Sequence, residues 1–191
     1  MFQQLHKTLV SKISVSDAEF GIVKTFFKPK KLRKKQFLLQ EGDICYRLAF
    51  VEKGSLYSYS TDNKGVQRVI QFAFDGWWIA DLYSYLTGET SLYSIEALEN
   101  CELLILDQDD EKELIRQFPR YEVYTKILYQ NAYVALQRRL EATLGLTAEE
   151  KYSRLMDNYP SLAEKVPQHL VASYLGITPE TLSRIRKQIS R

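Results

Sequence analysis

The stretch QHLVASYLGITPETLSRIRK, residues 168–187, determines how the C-terminal part of the chain folds. Its apolar residues recur at helical spacing, which predicts two short helices packed against each other. These residues are Val171, Leu175, Ile177, Leu182 and Ile185. Gly176 lies between the two helices. Glycine adopts a positive φ at the lowest cost, and a residue in that conformation commonly ends a helix. Thr178 is placed to cap the second helix, and Pro179 suits its first position. The stretch therefore predicts a helix-turn-helix.

The outward side of the second helix is polar and charged. Glu180 can accept from the amino group of cytosine, and the planar fork of Arg184 matches O6 and N7 of guanine. We therefore predict that this helix lies in a major groove, with its remaining cations on phosphates. The predicted DNA-binding residues are Thr178, Pro179, Glu180, Ser183, Arg184, Arg186, Lys187 and Arg191. An ordinary helical hairpin, or a ligand-binding module that does not bind DNA, is the alternative.

Composition and charge are those of an ordinary globular chain with a basic C-terminal end. The 191 residues are 45% hydrophobic, and 26 basic against 24 acidic residues give a net charge of +2. After Val166 the only acidic residue is Glu180, against four cations, which suits a localised contact with nucleic acid. No apolar run approaches the ~18 residues of a membrane helix, so we expect a cytoplasmic protein with no membrane partner.

The sequence contains little that suits catalysis or metal binding. His6 and His169 are the only histidines, and Cys45 and Cys101 are too far apart for metal-ligand spacing. The carboxylates of residues 107–113 are typical of a solvated loop and a helix start. We therefore expect no enzyme activity, no catalytic residue, no metal and no cofactor.

Residues 36–106 have the character of antiparallel β-structure. Asp62-Asn63-Lys64-Gly65 predicts a hairpin turn, because Asn and Gly tolerate positive φ. Short runs of aromatic and β-branched residues lie at 47–51, 55–60, 68–74 and 93–106. Together they predict an antiparallel double-stranded β-roll of the jelly-roll kind. Upstream, the capping box at 16–19 predicts a helix from Asp17. The basic run 28–35 is interpreted as a solvated loop, with contact to an anionic partner as the alternative.

Helical periodicity returns after Asp107, so the predicted fold class is α+β. A short helix is predicted at 111–118 and a long one from about Tyr121 to Leu144. The first turns of the long helix are apolar nearly all round, which requires burial on more than one side. We predict a homodimer through this helix; coverage by the C-terminal domain is the alternative. The predicted interface residues are Tyr124, Ile127, Leu128, Asn131, Val134 and Ala135.

A hinge is predicted where the long helix ends. Gly145 can end that helix, and Thr147-Ala148-Glu149-Glu150 is a second capping box that begins the next one. The chain is therefore divided into an N-terminal β-roll domain at 1–120, a dimerisation helix at 121–145 and a helix-turn-helix domain at 146–191.

These features together resemble the Crp/Fnr family of bacterial transcription regulators, over nearly the whole chain. The segments that carry the resemblance are Glu41–Asp43, Gly54, Gly65, Gly76–Ala97 and Ala172–Lys187. The resemblance implies a cyclic-nucleotide-binding-like β-roll, a long dimerisation helix and a C-terminal helix-turn-helix. It also implies a dimer on an inverted-repeat operator, and contact with RNA polymerase if the protein is an activator.

The effector site departs from the family pattern. Cyclic-nucleotide-binding members hold the ribose with a glutamate and the cyclic phosphate with an arginine in the span matching Gly76–Ala97. Here Asp81 follows Ala80 at the glutamate position, and Ser91 occupies the arginine position. Because burying an unpaired phosphate is unfavourable, we expect an effector other than cyclic AMP, or none. A cyclic-nucleotide-responsive regulator remains the alternative.

Other sensing modes of the family find less support. The iron–sulfur members of the family carry clustered N-terminal cysteines. This chain has no cysteine before Cys45, so we do not expect it to sense through an iron–sulfur cluster. The aromatic rings of the span Gly76–Ala97, here called the cassette, either fill the former pocket as core or stack on a small, partly apolar ligand. The candidate effector-pocket residues are Trp78, Asp81, Leu82, Tyr83, Ser91, Leu92 and Tyr93. In the recognition helix Pro179 replaces a family arginine, so the operator of the best-known member is not expected.

Overall fold

The computed structural model describes residues 1–159 and 162–189. By its contacts the chain forms two units, Met1–Ser60 with Phe72–Gln130, and Thr61–Gln71 with Asn131–Arg191. The contact boundary thus falls inside the long helix, whereas the predicted hinge lies at its end. The functional division at residues 120 and 145 stays a prediction.

The helices and strands follow the predicted order, with strands between two helical regions. The elements, in chain order, are α1 (Gln3–Val10), α2 (Asp17–Phe26), β1 (Lys28–Leu32), β2 (Phe37–Leu39), β3 (Arg47–Lys53), β4 (Leu56–Thr61), β5 (Gln67–Ala73), β6 (Trp78–Ile79), α3 (Leu82–Thr87), β7 (Ser94–Ala97), β8 (Cys101–Asp107), α4 (Gln108–Gln117), α5 (Arg120–Gly145), α6 (Ala148–Asn158), α7 (Leu162–Lys165), α8 (Gln168–Leu175) and α9 (Pro179–Ile189). The α+β class is confirmed.

The strands form two antiparallel four-stranded sheets, in the orders β1-β8-β3-β6 and β2-β7-β4-β5. This arrangement confirms the predicted β-roll. Between the sheets lies a core of aliphatic side chains that includes Val51, Leu56, Ile79 and Leu103. A second core lies under the helices of the same unit, where Leu5, Leu9, Leu114 and other apolar side chains are completely buried.

Two predictions about the strands were wrong. The basic run was expected to be a solvated loop, but Lys28–Leu32 is the edge strand β1, paired with β8. Only Leu32 of this strand is buried, so no apolar alternation marks it in the sequence. The single run predicted at 93–106 is two strands, because residues 98–100 lie outside both β7 and β8.

The helix starts show which signals are local and which are not. At α2, the Ser16 hydroxyl accepts from the Glu19 amide at 3.3 Å, and the Glu19 carboxylate accepts from the Ser16 amide at 2.8 Å, so the capping box is confirmed. Helix α1 was not predicted, because its cap comes from a distant residue. The buried carboxylate of Glu52 accepts from the amides of Gln4 at 2.8 Å and Leu5 at 3.3 Å.

In the second unit, the predicted capping box of α6 is confirmed by the reciprocal Thr147–Glu150 hydrogen bonds. Helix α8 ends at Gly176, whose φ of 70° is in the left-handed region. The amide of the next residue, Ile177, donates to the Ala172 carbonyl at 3.0 Å, which completes the predicted turn. Leu182 and Ile185 of α9 are buried. Across residues 1–159 and 162–189, no helix combines the length and apolar character of a membrane span.

Candidate nucleic-acid interface and effector region

Helix α9 begins as its sequence predicts. The Thr178 hydroxyl accepts from the Thr181 amide at 3.2 Å, and Pro179 is the first helical residue. Glu180 follows in the first turn. Hydrogen bonds from its own backbone amide and from the Thr178 side chain lower the pKa of the exposed Glu180 carboxyl below its ordinary value. This carboxylate therefore stays ionised and available as a hydrogen-bond acceptor near neutral pH.

One exposed face of α9 brings most of the predicted DNA-binding residues together. The residues that line this open surface are Pro179, Glu180, Ser183, Arg184, Lys187 and Gln188. On the same helix Leu182 and Ile185 are buried, so α9 is fixed by one side and presents the other to solvent. The exposed side combines a carboxylate, a hydroxyl, an amide and two cations.

Arg186 does not join that face. Arg186 is only partly exposed and lines a small cavity beside Tyr152, Val166 and Val171 in the interior of the unit. Arg191 lies outside the described residues. Lys187 and Arg184 are therefore the cations that the structure presents on the exposed face of α9 within residues 162–189.

The helix before α9 is tied to the tip of the β4–β5 hairpin, which belongs to the same unit. The Ser173 hydroxyl donates to the Gln67 carbonyl at 2.8 Å and accepts from the Val69 amide at 3.0 Å. From α5, Arg139 donates to the Val69 carbonyl at 2.8 Å. Sequence reasoning missed this connection, since nothing near residue 173 indicates a partner about a hundred positions away.

In the first unit, Asp81 and Ser91 pair with each other. The buried Asp81 carboxylate accepts from the Ser91 hydroxyl at 2.7 Å and from the amides of Tyr83 at 3.0 Å and Ser84 at 3.3 Å. Asp81 thereby caps α3. The side chain at the family's ribose-binding position is thus engaged inside the chain, and the span 80–97 contains no Lys or Arg.

The other candidate effector residues are dispersed. Tyr83 and Leu92 are exposed, at 52% and 61%. Trp78 packs against Phe50 and donates to the Tyr124 hydroxyl at 2.9 Å. These positions fit the interpretation that the Trp78 ring belongs to the core. Leu82 and Tyr93 are partly exposed.

A cavity of about 330 Å³ lies in the first unit, lined partly by residues of the span 76–97 and partly by residues of the span 38–49. Its wall combines apolar side chains, among them Leu39, Ile79 and Ile95, with the charged side chains of Asp43 and Arg47. The guanidinium of Arg47 donates to the Asp107 carboxylate at 2.8 Å, which neutralises its charge in part. The predicted pocket residues do not line this cavity, although Ala80, next to Asp81, does.

The surface of α5 is apolar on two sides. Val123 and Val134 are exposed at 52% and 44% on one side. A second line, at spacings of three and four residues, consists of Tyr133, Leu136, Leu140 and Leu144, each more than half exposed. Of the predicted interface residues, Asn131 and Ala135 are exposed, and Ile127 and Leu128 are partly exposed.

Tyr124 requires a correction. It is completely buried within its own chain, where it contacts Trp78 and Tyr121, and it has no surface left for a second copy. The prediction that this ring is buried was correct, but the ring is covered by residues of its own chain and not by a second copy. The helical spacing of Tyr133, Leu136, Leu140 and Leu144 in the sequence was a sufficient signal for a second apolar side of α5. These residues extend the apolar surface beyond the predicted interface residues.

Comparison with known proteins places the chain in a class. Residues 29–118 match the cyclic nucleotide-binding domain family. The chain is 25% identical over 178 residues to the cyclic AMP receptor protein of Thermus thermophilus, covering 87% of this chain and 79% of that protein. It is 22% identical over 171 residues to the regulatory protein HlyX of Actinobacillus pleuropneumoniae, covering 83% and 70%.

The fold is similar to that of FixK2 from Bradyrhizobium japonicum, with a TM-score of 0.74 at 14% identity, over 86% of this chain and 84% of that one. The class is thus a cyclic nucleotide-binding domain followed by a long helix and C-terminal helices. The resemblance of the chain to Crp/Fnr-type regulators, seen first in its motifs, is thereby confirmed.

Proposed function

We propose that the chain is a sequence-specific DNA-binding transcription regulator that acts in the cytoplasm as a homodimer on an inverted-repeat operator. The observation that carries this proposal is the exposed face of α9, which joins Glu180, Ser183, Arg184 and Lys187 on a helix whose other side is buried. Such a face offers donors and acceptors to base edges and cations to phosphates.

Dimerisation through α5 follows from its two apolar sides. Val134 on one side and Leu140 on the other are exposed in the single chain. Packing against α5 of a second copy would remove apolar surface on both sides from water. A two-fold dimer presents two α9 helices to half-sites about one helical turn apart, which makes the operator an inverted repeat. Contact with RNA polymerase is expected if the protein is an activator.

The proposed effector is a small molecule other than cyclic AMP, or there is none. Support comes from Asp81, whose carboxylate is already engaged by Ser91 and two amides, and from the absence of a cation in the span 80–97. The cavity of about 330 Å³ is lined by apolar side chains together with Asp43 and Arg47, and a carboxylate in its wall makes it better suited to a partly apolar ligand than to a phosphate. A cyclic-nucleotide-responsive regulator is the second candidate, because residues 29–118 match that domain family.

Selection of duplexes from random DNA tests the proposal. With the full chain at fixed salt, we expect enrichment of an inverted repeat whose half-site centres are about one helical turn apart. Absence of DNA binding would favour a ligand-binding module without DNA binding, and binding without enrichment of any motif would exclude sequence-specific recognition. Either outcome would contradict the proposed regulator.

A further inference from the structure

A second cavity lies wholly within the second unit, where α5, α6 and α8 meet. It has a volume of about 170 Å³, more than ten times the roughly 15 Å³ that holds one water. Arg138 and Arg139 reach it from α5, and Lys151 and Arg154 reach it from α6. Of these four cations, Lys151 and Arg154 lie one turn apart on α6 and therefore share one side of that helix. Arg138 lies on the other helix, α5.

The cavity has an excess of positive charge. No Asp or Glu is among the residues that line it in the described part of the chain. One of the cations, Arg154, forms an ion pair with Glu141, but the nitrogen and oxygen are 3.8 Å apart and the Glu141 side chain is 73% exposed. Lys151 contacts the Thr143 carbonyl at 3.4 Å. Such pairs compensate little charge.

Arg138 is the least compensated of these cations. It makes no ion pair or hydrogen bond that the structure records with residues 1–159 or 162–189, whereas its neighbour Arg139 is held firmly. The Arg139 guanidinium donates to the Val69 carbonyl at 2.8 Å and lies 4.5 Å from the centre of the Tyr174 ring. One cation of the cavity is therefore preorganised, and the others are available for a ligand.

We propose that this cavity binds a small anion with two or more negative charges, of the phosphate or pyrophosphate kind. Guanidinium groups match phosphate oxygens with paired donors, and an ammonium adds a point charge. Bound anion would relieve the mutual repulsion of the cations from α5 and α6. The site is separate from both the exposed face of α9 and the cavity in the β-roll.

The test uses calorimetry of the full chain with sodium pyrophosphate in a phosphate-free buffer at fixed ionic strength. We expect a dissociation constant below about 1 mM for the wild type, weakened at least about tenfold in the double variant Arg138→Gln, Lys151→Gln. The matched control, Lys12→Gln with Lys64→Gln, removes two exposed cations elsewhere and should bind as the wild type does. Arg138→Gln alone, at an exposed position, should give a smaller loss without affecting folding.

A second measurement separates a free anion from a DNA phosphate as the source of the negative charge. The affinity for a random-sequence duplex is measured against salt for the same variants. We expect the double variant to keep the wild-type slope, because under this proposal Arg138 and Lys151 hold a free anion and not DNA phosphates. A lower slope in that variant would assign these cations to the DNA backbone and overturn the proposal. No pyrophosphate binding at about 5 mM, or equal binding by wild type and double variant, would overturn it as well.

Discussion

The hydroxyl of Ser91 donates a 2.7 Å hydrogen bond to the buried carboxylate of Asp81. These two residues occupy the positions at which cyclic-nucleotide-binding relatives carry an arginine and a glutamate. The two side chains are therefore hydrogen-bonded to each other and not free for a ligand. A ribose hydroxyl would have to displace Ser91, and a cyclic phosphate would find no cation in the span 80–97.

The first prediction is that cyclic AMP and cyclic GMP do not bind. Calorimetric titration of the full chain should give no heat of binding up to about 1 mM nucleotide, because an unpaired buried phosphate is strongly unfavourable. The same titration on the variant Ser91→Ala, which frees one acceptor of Asp81 without adding a cation, should also give none. A micromolar dissociation constant for either nucleotide would contradict this interpretation of the cassette.

The second prediction concerns assembly. The variant Val134→Glu should be monomeric where the wild type is dimeric, since the interface would bury an unpaired carboxylate. Val134 is 44% exposed in the single chain, so the variant should fold normally. Leu128 is less suitable because it also packs against the core of the first unit.

Sedimentation velocity on both proteins measures this change, with Ser153→Glu on α6 as the control. Ser153 is exposed and does not belong to α5, so its variant should remain a dimer. A soluble Val134→Glu dimer of unchanged affinity would show that this side of α5 is not the interface.

The third prediction separates base contacts from phosphate contacts on α9. Arg184→Ala should lose about 1–3 kcal/mol of binding free energy per half-site and relax the preference at one base pair, because it removes a bidentate contact to guanine. Lys187→Ala should weaken binding to all sequences alike and reduce the salt dependence. Site selection on wild type and both variants at fixed salt measures the difference. An unchanged motif with Arg184→Ala would mean that another side chain reads the groove.

The fourth prediction concerns two buried tyrosines at the start of α5. The Tyr121 hydroxyl has no hydrogen-bond partner in the described part of the chain, whereas Tyr124 accepts from the Trp78 indole at 2.9 Å. Tyr121→Phe should therefore be neutral or stabilising, and Tyr124→Phe should lose about 1 kcal/mol of unfolding free energy. Denaturant unfolding followed by tryptophan fluorescence reports this, since Trp77 and Trp78 both lie in the first unit.

The same variant changes the response to alkaline pH. Burial raises the pKa of Tyr121 well above its ordinary value, so the folded state keeps the proton when the unfolded state loses it near pH 10. The stability that Tyr121 contributes is thus complete below about pH 10 and declines above it. At pH 11 the free-energy advantage of Tyr121→Phe over the wild type should exceed its value at pH 8 by about 1.4 kcal/mol. An equal advantage at both pH values would show that Tyr121 is accessible to solvent.

Elements whose signals lie within a few residues could be predicted from the chain alone. The capping boxes Ser16–Glu19 and Thr147–Glu150 and the turn at Gly176 are formed by groups at most five positions apart. Such groups meet whenever the helix forms, so residue type and spacing are sufficient. The exposed face of α9 follows for the same reason, because helical periodicity decides which of its side chains can share a side.

Contacts between distant residues needed the tertiary structure. Glu52 caps α1 from 47 and 48 positions away, and Ser173 holds Gln67 and Val69 from over a hundred. The burial of Tyr124 against Trp78, and the strand formed by Lys28–Leu32, likewise depend on which surfaces meet. A side chain that suits several partners is assigned to one only when packing brings that partner within hydrogen-bonding distance, and local spacing contains no record of that choice.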